Sequence, residues 1–333
     1  MRIPLLVATV SIAGIASCVE AVPTSALEVK FCFGMCDASA IMPLDDDLFV
    51  AGDDEDNFLR VYSRHKAGQP VFVTNISRFL GFKRSSGETD IEAAARIGDH
   101  IYWISSHGRN AKAKVQPRRQ RFFATTGTVR DGKIDLQPVG MFYAGLLRDL
   151  TRDPRLAPFN LAKASLGAPK APGALNIEGL VATPEEHLLI GFRNPIPQGR
   201  ALIVPLLNPV EVIYGRSARL GDPMLLDLGG LGIRGMTRWQ DRYLIIAGSS
   251  EGDGVSRLYE WSGGCDTPRW IRSVDFTGLN PEGIAPIPDE RGSALLALSD
   301  DGTVICDGVE CKRLKDQARK RFRLVQLPAP TND

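Results

Sequence analysis

Acidic and amide side chains recur along this chain in one short pattern: Asp or Asn, any residue, Glu, then a small residue. Three clear copies begin Asp90-Ile91-Glu92-Ala93, Asn176-Ile177-Glu178-Gly179 and Asn280-Pro281-Glu282-Gly283, and two degenerate copies begin Asp37-Ala38-Ser39-Ala40 and Gly232-Ile233-Arg234-Gly235. Asp37, Asp53, Asp54, Asp90, Asn176 and Asp300 offer hard oxygen donors of the kind that bind Ca²⁺ or Mg²⁺. Glu92, Glu178 and Glu282 are the residues to hold such a metal or activate a water beside it. Arg109, Arg193 and Arg234, with Asn110 and Asn194, suit a small anion, because a guanidinium presents a planar, bidentate fork. Among the four histidines, His65, His100, His107 and His187, His107 alone falls in the same phase of the pattern and is the acid–base candidate. The same carboxylates could instead bind backbone amides of neighbouring elements, with the arginines balancing buried charge.

Each copy needs elements that bring its two polar ends together. From the Glu-equivalent position to the polar end of the next strand, the pairs are Ser39 to Asp53, Glu92 to Ser106, Glu178 to Arg193, Arg234 to Ser249 and Glu282 to Asp300, intervals of 14, 14, 15, 15 and 18 residues. The last interval carries an extra turn, Asp289-Glu290-Arg291-Gly292. Between the ends lie short apolar runs such as Leu48-Phe49-Val50-Ala51, Ile101-Tyr102-Trp103-Ile104 and Leu188-Leu189-Ile190-Gly191, bounded by polar residues or glycine as buried strands are. Five small sheets in series predict an all-β fold, a β-propeller. Five blades are expected, or six if the 86-residue interval between the copies at 90 and 176 hides another. That interval holds a hairpin turning at Asp131-Gly132 and then a leucine-bearing stretch, 141–166, read as a short helical insertion that caps one face or merely crosses the surface. Strands at Leu27 to Phe33 and Phe322 to Leu327 are expected to pair and close the ring. In a blade the start of the first strand lies beside the end of the second, so all five polar sets should converge at one mouth of the central channel.

Composition agrees. The chain has 333 residues, 33 of them Gly and 22 Pro, as a turn-rich β protein needs. A formal net charge of +1 speaks against a whole-molecule polyanion binder, and nucleic acid is not an expected partner. The basic stretches 109–121 and 312–323 are read as solvated loops. Residues 1–21 read as a signal peptide, with Ile15-Ala16-Ser17-Cys18 resembling a lipobox and Val19-Glu20-Ala21 an alternative cleavage site. Export is expected either way, as a periplasmic or outer-membrane lipoprotein anchored through Cys18 or as a secreted protein. The mature chain is read as one domain, 27–328, with a disordered tail at 329–333 and no internal stretch long enough to span a membrane. Cys306 and Cys311 flank a hairpin tip and are the expected disulfide, with Cys32 and Cys36 the next pair. No organic-cofactor motif is present, and a monomer is expected.

Several segments together resemble a bacterial family catalogued as a domain of unknown function, 3616. They are 34–40, 90–98, 103–110, 168–180 and 190–197, including Trp103-Ile-Ser-Ser-His-Gly-Arg-Asn110 and Ile190-Gly-Phe-Arg-Asn-Pro-Ile-Pro197. The resemblance implies a propeller and no activity. More distantly, the Glu-Gly starts resemble those of esterase-like phytases and calcium-dependent lactonases, which implies metal-binding or acid–base roles for Glu92, Glu178 and Glu282. Ser39 and Arg234 depart from that pattern. The expected function is a metal-dependent hydrolase of a small anionic, phosphate-type ester at the channel mouth; the competing expectation is a non-catalytic binding scaffold at the cell envelope.

Overall fold

A computed structural model describes residues 27–82, 87–252, 254–289 and 292–329. The signal-peptide reading, Cys18 and the last four residues of the tail lie outside them. The chain forms five four-stranded antiparallel sheets arranged as a β-propeller. Blade I is Ala38–Pro43, Leu48–Asp53, Phe58–Ser63 and Phe72–Asn75; blade II is Ile91–Ile97, His100–Ser105, Phe122–Thr126 and Pro138–Tyr143. Blade III is Asn176–Ala182, Leu188–Asn194, Ala201–Leu206 and Met224–Leu226; blade IV is Gly232–Trp239, Arg242–Gly248, Arg257–Trp261 and Arg269–Trp270. Blade V takes Pro281–Asp289, Gly292–Ser299 and Arg321–Leu327 from the end of the described chain and its outermost strand, Glu28–Phe33, from the beginning. The terminal strands pair antiparallel from Glu28↔Gln326 to Phe33↔Arg321, the expected ring closure.

The apolar runs follow from this arrangement. Side chains alternate across a strand, and here both faces are covered by a neighbouring blade. Ile101 and Trp103 pack with Val50 and Val61 of blade I, whereas Tyr102 and Ile104 pack with Ile177 and Leu180 of blade III. A strand buried on both faces reads as continuous apolar sequence. The inner strands contact one another in the order I, II, III, IV, V and back to I.

The long interval holds no sixth blade. Its first part supplies the two outer strands of blade II, extended by a small hairpin, Thr128–Arg130 with Lys133–Asp135, that turns at Asp131 and Gly132 with φ of +50° and +70°. The predicted helical insertion is present as Leu146–Arg152, a 3₁₀ segment Pro154–Phe159 and Leu161–Ala164. Leu146, Leu150, Leu156 and Leu161 join the core between blades II and III, and Asp149 accepts the Ala218 N–H at 3.0 Å. The insertion is therefore packed structure, and its return loop reaches the mouth: Asn194 donates to the carbonyls of Pro169 and Ala171.

The glycine of the blade IV copy is a steric requirement. A Cβ on Gly235 would lie 1.9 Å from the Glu282 carbonyl oxygen of the next blade. Gly235→Ala should destabilise the protein by about 1–3 kcal/mol, the usual cost of overpacking; a urea unfolding midpoint at the wild-type value would contradict this close approach.

Candidate functional site

Every first strand carries a β-bulge at the position singled out by the repeat. The register skips Ser39 between Ala38↔Asp53 and Ala40↔Gly52, Glu92 between Ile91↔Ser105 and Ala93↔Ile104, and Arg234 between Ile233↔Ala247 and Gly235↔Ile246. Blade III is irregular at Glu178 and again opposite Arg193, and blade V is irregular across Glu282. A bulge leaves one residue out of the ladder and re-aims its side chain. The same pairings bring the start of each first strand beside the end of the second, so the predicted convergence of polar ends is present in all five blades.

Around blades III, IV and V these side chains form one chain of hydrogen bonds and ion pairs. Arg193 Nη1 donates to Glu178 Oε1 at 2.8 Å and its Nε to the Ser249 carbonyl at 2.9 Å. Arg234 lies between two glutamates: it pairs with Glu282, and its Nε is 3.4 Å from Glu178 Oε2, close enough for an ion pair but not aligned for a hydrogen bond. Asn280 accepts from Arg234 at 2.7 Å and donates to Asp300 at 2.9 Å; Asn176 donates to Glu178 at 2.6 Å. All of Glu178, Glu282, Arg193 and Arg234 are buried. The arginine that breaks the motif in blade IV is thus the counterion of the glutamates on either side.

This chain closes the neck of the channel. The cavity among Ser39, Glu92, Glu178 and Glu282 measures about 10 Å³, whereas the opposite, largely apolar end opens to about 400 Å³. About 10–15 Å³ is the least that holds one water. A ligand entering at the opposite end is therefore kept from the mouth by the closed neck.

At the mouth, blade I brings Asp37, Asp53 and Asp54 together, with one carboxylate oxygen of each within 4.8 Å of the others. Asp53 Oδ1 accepts the Glu55 N–H at 2.8 Å, and Asp53 lies 3.9 Å from Arg60. Asp54 is part-exposed, yet its Oδ1 is buried with no hydrogen-bond partner among the described residues. Burial, then the neighbouring Asp300 and Glu55, pushes Asp37 up to about 7. Burial, then Asp37, Asp300 and Glu92, holds Asp54 well above the carboxylate range; burial and Asp56 do the same to Asp53. Glu92 is raised by burial and by Glu178 and Asp90, and Asp300 chiefly by burial. Too many carboxylates share this end of the channel for all to ionise alone.

The remaining predicted residues are engaged elsewhere. Asp90 accepts from Ser106 and pairs with Arg119 at 3.1 Å. His107 is buried; its Nδ1 lies 2.7 Å from the Ser105 carbonyl, so the ring donates there and Nε2 is left without a partner among the described residues. Burial lowers its pKa to about 4. Arg109 donates to the carbonyls of Ser165 and Ala113, and Asn110 Oδ1 accepts the backbone N–H groups of Lys112 and Lys114. Neither is joined to the ring of ion pairs. Arg119 and Arg121 lie in the stretch read as solvated, but Arg119 binds Asp90 and Glu88 and Arg121 stacks on Phe142. Arg60 and Asn280 were not among the expected site residues, although Asn280 begins one clear copy of the repeat and an arginine inside the apolar strand Phe58–Ser63 is a visible signal.

The disulfide is a correction: Cys36 bonds Cys311, and Cys306 is a free thiol, as is Cys32. In the hairpin Cys306 faces Val309, while the Cys311 N–H bonds the Val304 carbonyl at 2.8 Å, so Cys306 and Cys311 are diagonal rather than direct neighbours. Diagonal positions are about 7–8 Å apart at Cα, outside comfortable disulfide reach. Cys36, arriving from blade I, is 6.0 Å from Cys311 at Cα.

A family model described as a protein of unknown function (DUF3616) matches residues 140–292. No curated protein matches the chain. Among solved structures, a putative oxidoreductase (glucose dehydrogenase) from Thermus thermophilus is 12% identical, covers 91% of this chain and 100% of its own, and has a TM-score of 0.42. A GH43 β-1,3-galactosidase is 10% identical over 89% of this chain and 92% of its own, with a TM-score of 0.49. The major Malassezia sympodialis allergen Mala s 1 is 11% identical over 87% and 78%, at 0.40.

The buried carboxylates make stability pH-dependent in the metal-free protein. Asp37 and Asp90, both raised from 3.8 to about 7, keep protons in the folded state that the unfolded chain releases, so stability falls as pH rises from about 4 to about 7. His107 acts oppositely, gaining a proton on unfolding between about 4 and 6.5. The raised carboxylates Asp37, Asp53, Asp54, Asp90, Glu92 and Asp300 outnumber it, so in chelator the urea midpoint at pH 7.5 should lie below that at pH 5.

Proposed function

We propose that the mouth of this propeller binds a divalent cation, Ca²⁺ or Mg²⁺, through Asp37, Asp53 and Asp54, and uses it to take a small anionic ligand. The observation that carries this reading is the approach of the three carboxylates to within 4.8 Å of one another around a buried, unpartnered oxygen of Asp54. Carboxylate oxygens are the donors hard cations prefer, and Ca²⁺ takes six to eight oxygens, more than these three residues fill. Arg193 and Arg234 are neutralised by Glu178 and Glu282, so the cation rather than either guanidinium is the charge left to meet an anion. A cation so held supplies Lewis acidity and a more acidic bound water, which makes hydrolysis of an anionic ester, phosphate esters included, the reaction to test. Glu92, which lines the closed neck and interacts electrostatically with Asp54, is the acid–base group assigned to that reaction. The small volume at the neck supports the second reading, a cation-stabilised scaffold that binds without turnover. The Cys36–Cys311 disulfide suits an oxidising compartment and supports export of the protein.

Thermal unfolding of chelator-stripped protein tests the site. Ca²⁺ or Mg²⁺ at 100 times its Kd should add about 2.7 kcal/mol of apparent stability, and Asp54→Asn should abolish that gain. No shift with either cation would leave the acidic cluster structural and defeat the proposal. Where a shift is seen, turnover of anionic esters that disappears in Asp54→Asn separates the hydrolase from the scaffold.

A further inference from the structure

Three cysteines meet beside the acidic cluster. Cys36, Cys306 and Cys311 form a buried group with Leu314 against it; Cys36 and Cys311 are bonded, and Cys306 is a free thiol only 4% exposed. A thiol packed on a disulfide places a nucleophile beside its electrophile, since exchange proceeds by attack of a thiolate on a disulfide sulfur. Cys311 is the bonded cysteine that follows Cys306 on the same hairpin. Cys306 and Cys311 lie diagonally across a ladder whose strands, Ile305–Cys306 and Val309–Glu310, are two residues each. Their diagonal spacing, about 7–8 Å, exceeds the ~7 Å disulfide limit by about 1 Å or less, a shift that so short a hairpin can make.

The bonded pair also bears on Asp37. The Cys36 carbonyl accepts the Asp301 N–H at 2.9 Å, the Asp37 carbonyl accepts the Asp54 N–H at 3.2 Å, and the Lys312 N–H donates to the Gly302 carbonyl at 3.1 Å. The Asp37 carboxylate sits against Gly302, where a Cβ would fall 1.7 Å from Oδ1. The disulfide thus lashes the start of blade I to the 300–312 loop and holds Asp37 in place between them.

We propose that Cys306 and the Cys36–Cys311 disulfide form an internal thiol–disulfide exchange site that sets whether Asp37 is held for cation binding. The Cys306 thiolate attacks Cys311 Sγ; the Cys306–Cys311 bond forms, the Cys36–Cys311 bond breaks, and Cys36 leaves as a thiolate that takes up a proton. One disulfide and one thiol are present before and after, so no oxidant or reductant is consumed. Cys36 is then no longer tethered, and Asp37 keeps only its backbone hydrogen bonds. The exchange stands by itself; its effect on the cation rests on the reading given above.

The test is peptide mapping of the full chain after incubation at pH 8.5, acid quench and alkylation, without reduction. Cys306–Cys311 and Cys36–Cys311 peptides should both be found in the wild type, and Cys306→Ser should show Cys36–Cys311 alone. Wild-type protein with Cys306 wholly alkylated and only Cys36–Cys311 present would overturn the exchange. Calorimetric Ca²⁺ titration then compares Cys306→Ser, which keeps Cys36–Cys311, with Cys36→Ser oxidised by glutathione disulfide and shown by the same mapping to carry Cys306–Cys311. Loss of a supporting contact to a metal ligand costs 10–100-fold in affinity, so Cys36→Ser should bind at least about tenfold more weakly. Equal affinities would overturn the control of Asp37. If Cys36→Ser does not fold, wild-type protein fractionated by its pairing replaces it in the same comparison. Ca²⁺ binding to neither form would remove the cation reading and the control with it, while the peptides still decide the exchange.

Discussion

Arg234 between Glu178 and Glu282 is the contact on which the channel depends. It sits at the bulge of blade IV, where the clear copies of the repeat place a glutamate, and joins blades III and V across the neck. Two buried carboxylates facing each other across so narrow a space would each suffer the cost of desolvation and of the other's charge. One guanidinium between them offsets both costs, with Arg193 donating to Glu178 Oε1 and Asn280 accepting from Arg234, while Arg234 Nε and Glu178 Oε2 keep only their 3.4 Å ion-pair contact. An apparent defect in the repeat is the element that makes the repeat possible in a ring.

The consequence for function is a division of labour around the mouth. Blades III to V are electrically matched, each glutamate with its arginine. Blade I is not: Asp37, Asp53 and Asp54 face one another, with Arg60 at 3.9 Å from Asp53 and drawn more closely to Asp56. Raised carboxylate pKa values on this side are the electrostatic signature of that excess. The cation proposed for blade I would be the complement that Arg234 supplies elsewhere.

The scaffold keeps these charges in place because every strand near the axis is covered on both faces. Tyr102 and Trp103 are adjacent in sequence yet belong to different inter-blade cores. The outermost strand of blade V comes from the other end of the described chain, so the ring cannot open without unpairing Glu28–Phe33 from Arg321–Leu327. The insertion after blade II adds four buried leucines to one of these cores and brings Pro169 and Ala171 to the Asn194 side of the mouth.

Much of this was legible in the residues themselves. Strand positions, the repeat, ring closure by the terminal strands and the convergence of polar ends follow from local patterns, because alternation, turn residues and a bulge-forming start act within some twenty residues of chain. Residues 37, 53, 54, 178, 234 and 282 could be placed at one mouth by phase alone. What phase could not decide was pairing. That Arg234 would neutralise glutamates 56 residues before it and 48 after it, that Arg119 would turn inward to Asp90, and that Cys311 would reach Cys36 rather than Cys306 are outcomes of distances between blades. Spacing along the chain selects the side chains that arrive at the mouth. Which of them meet was fixed by closure of the ring, because charge and disulfide partners are chosen by ångström-scale separation across blades, which that spacing does not encode.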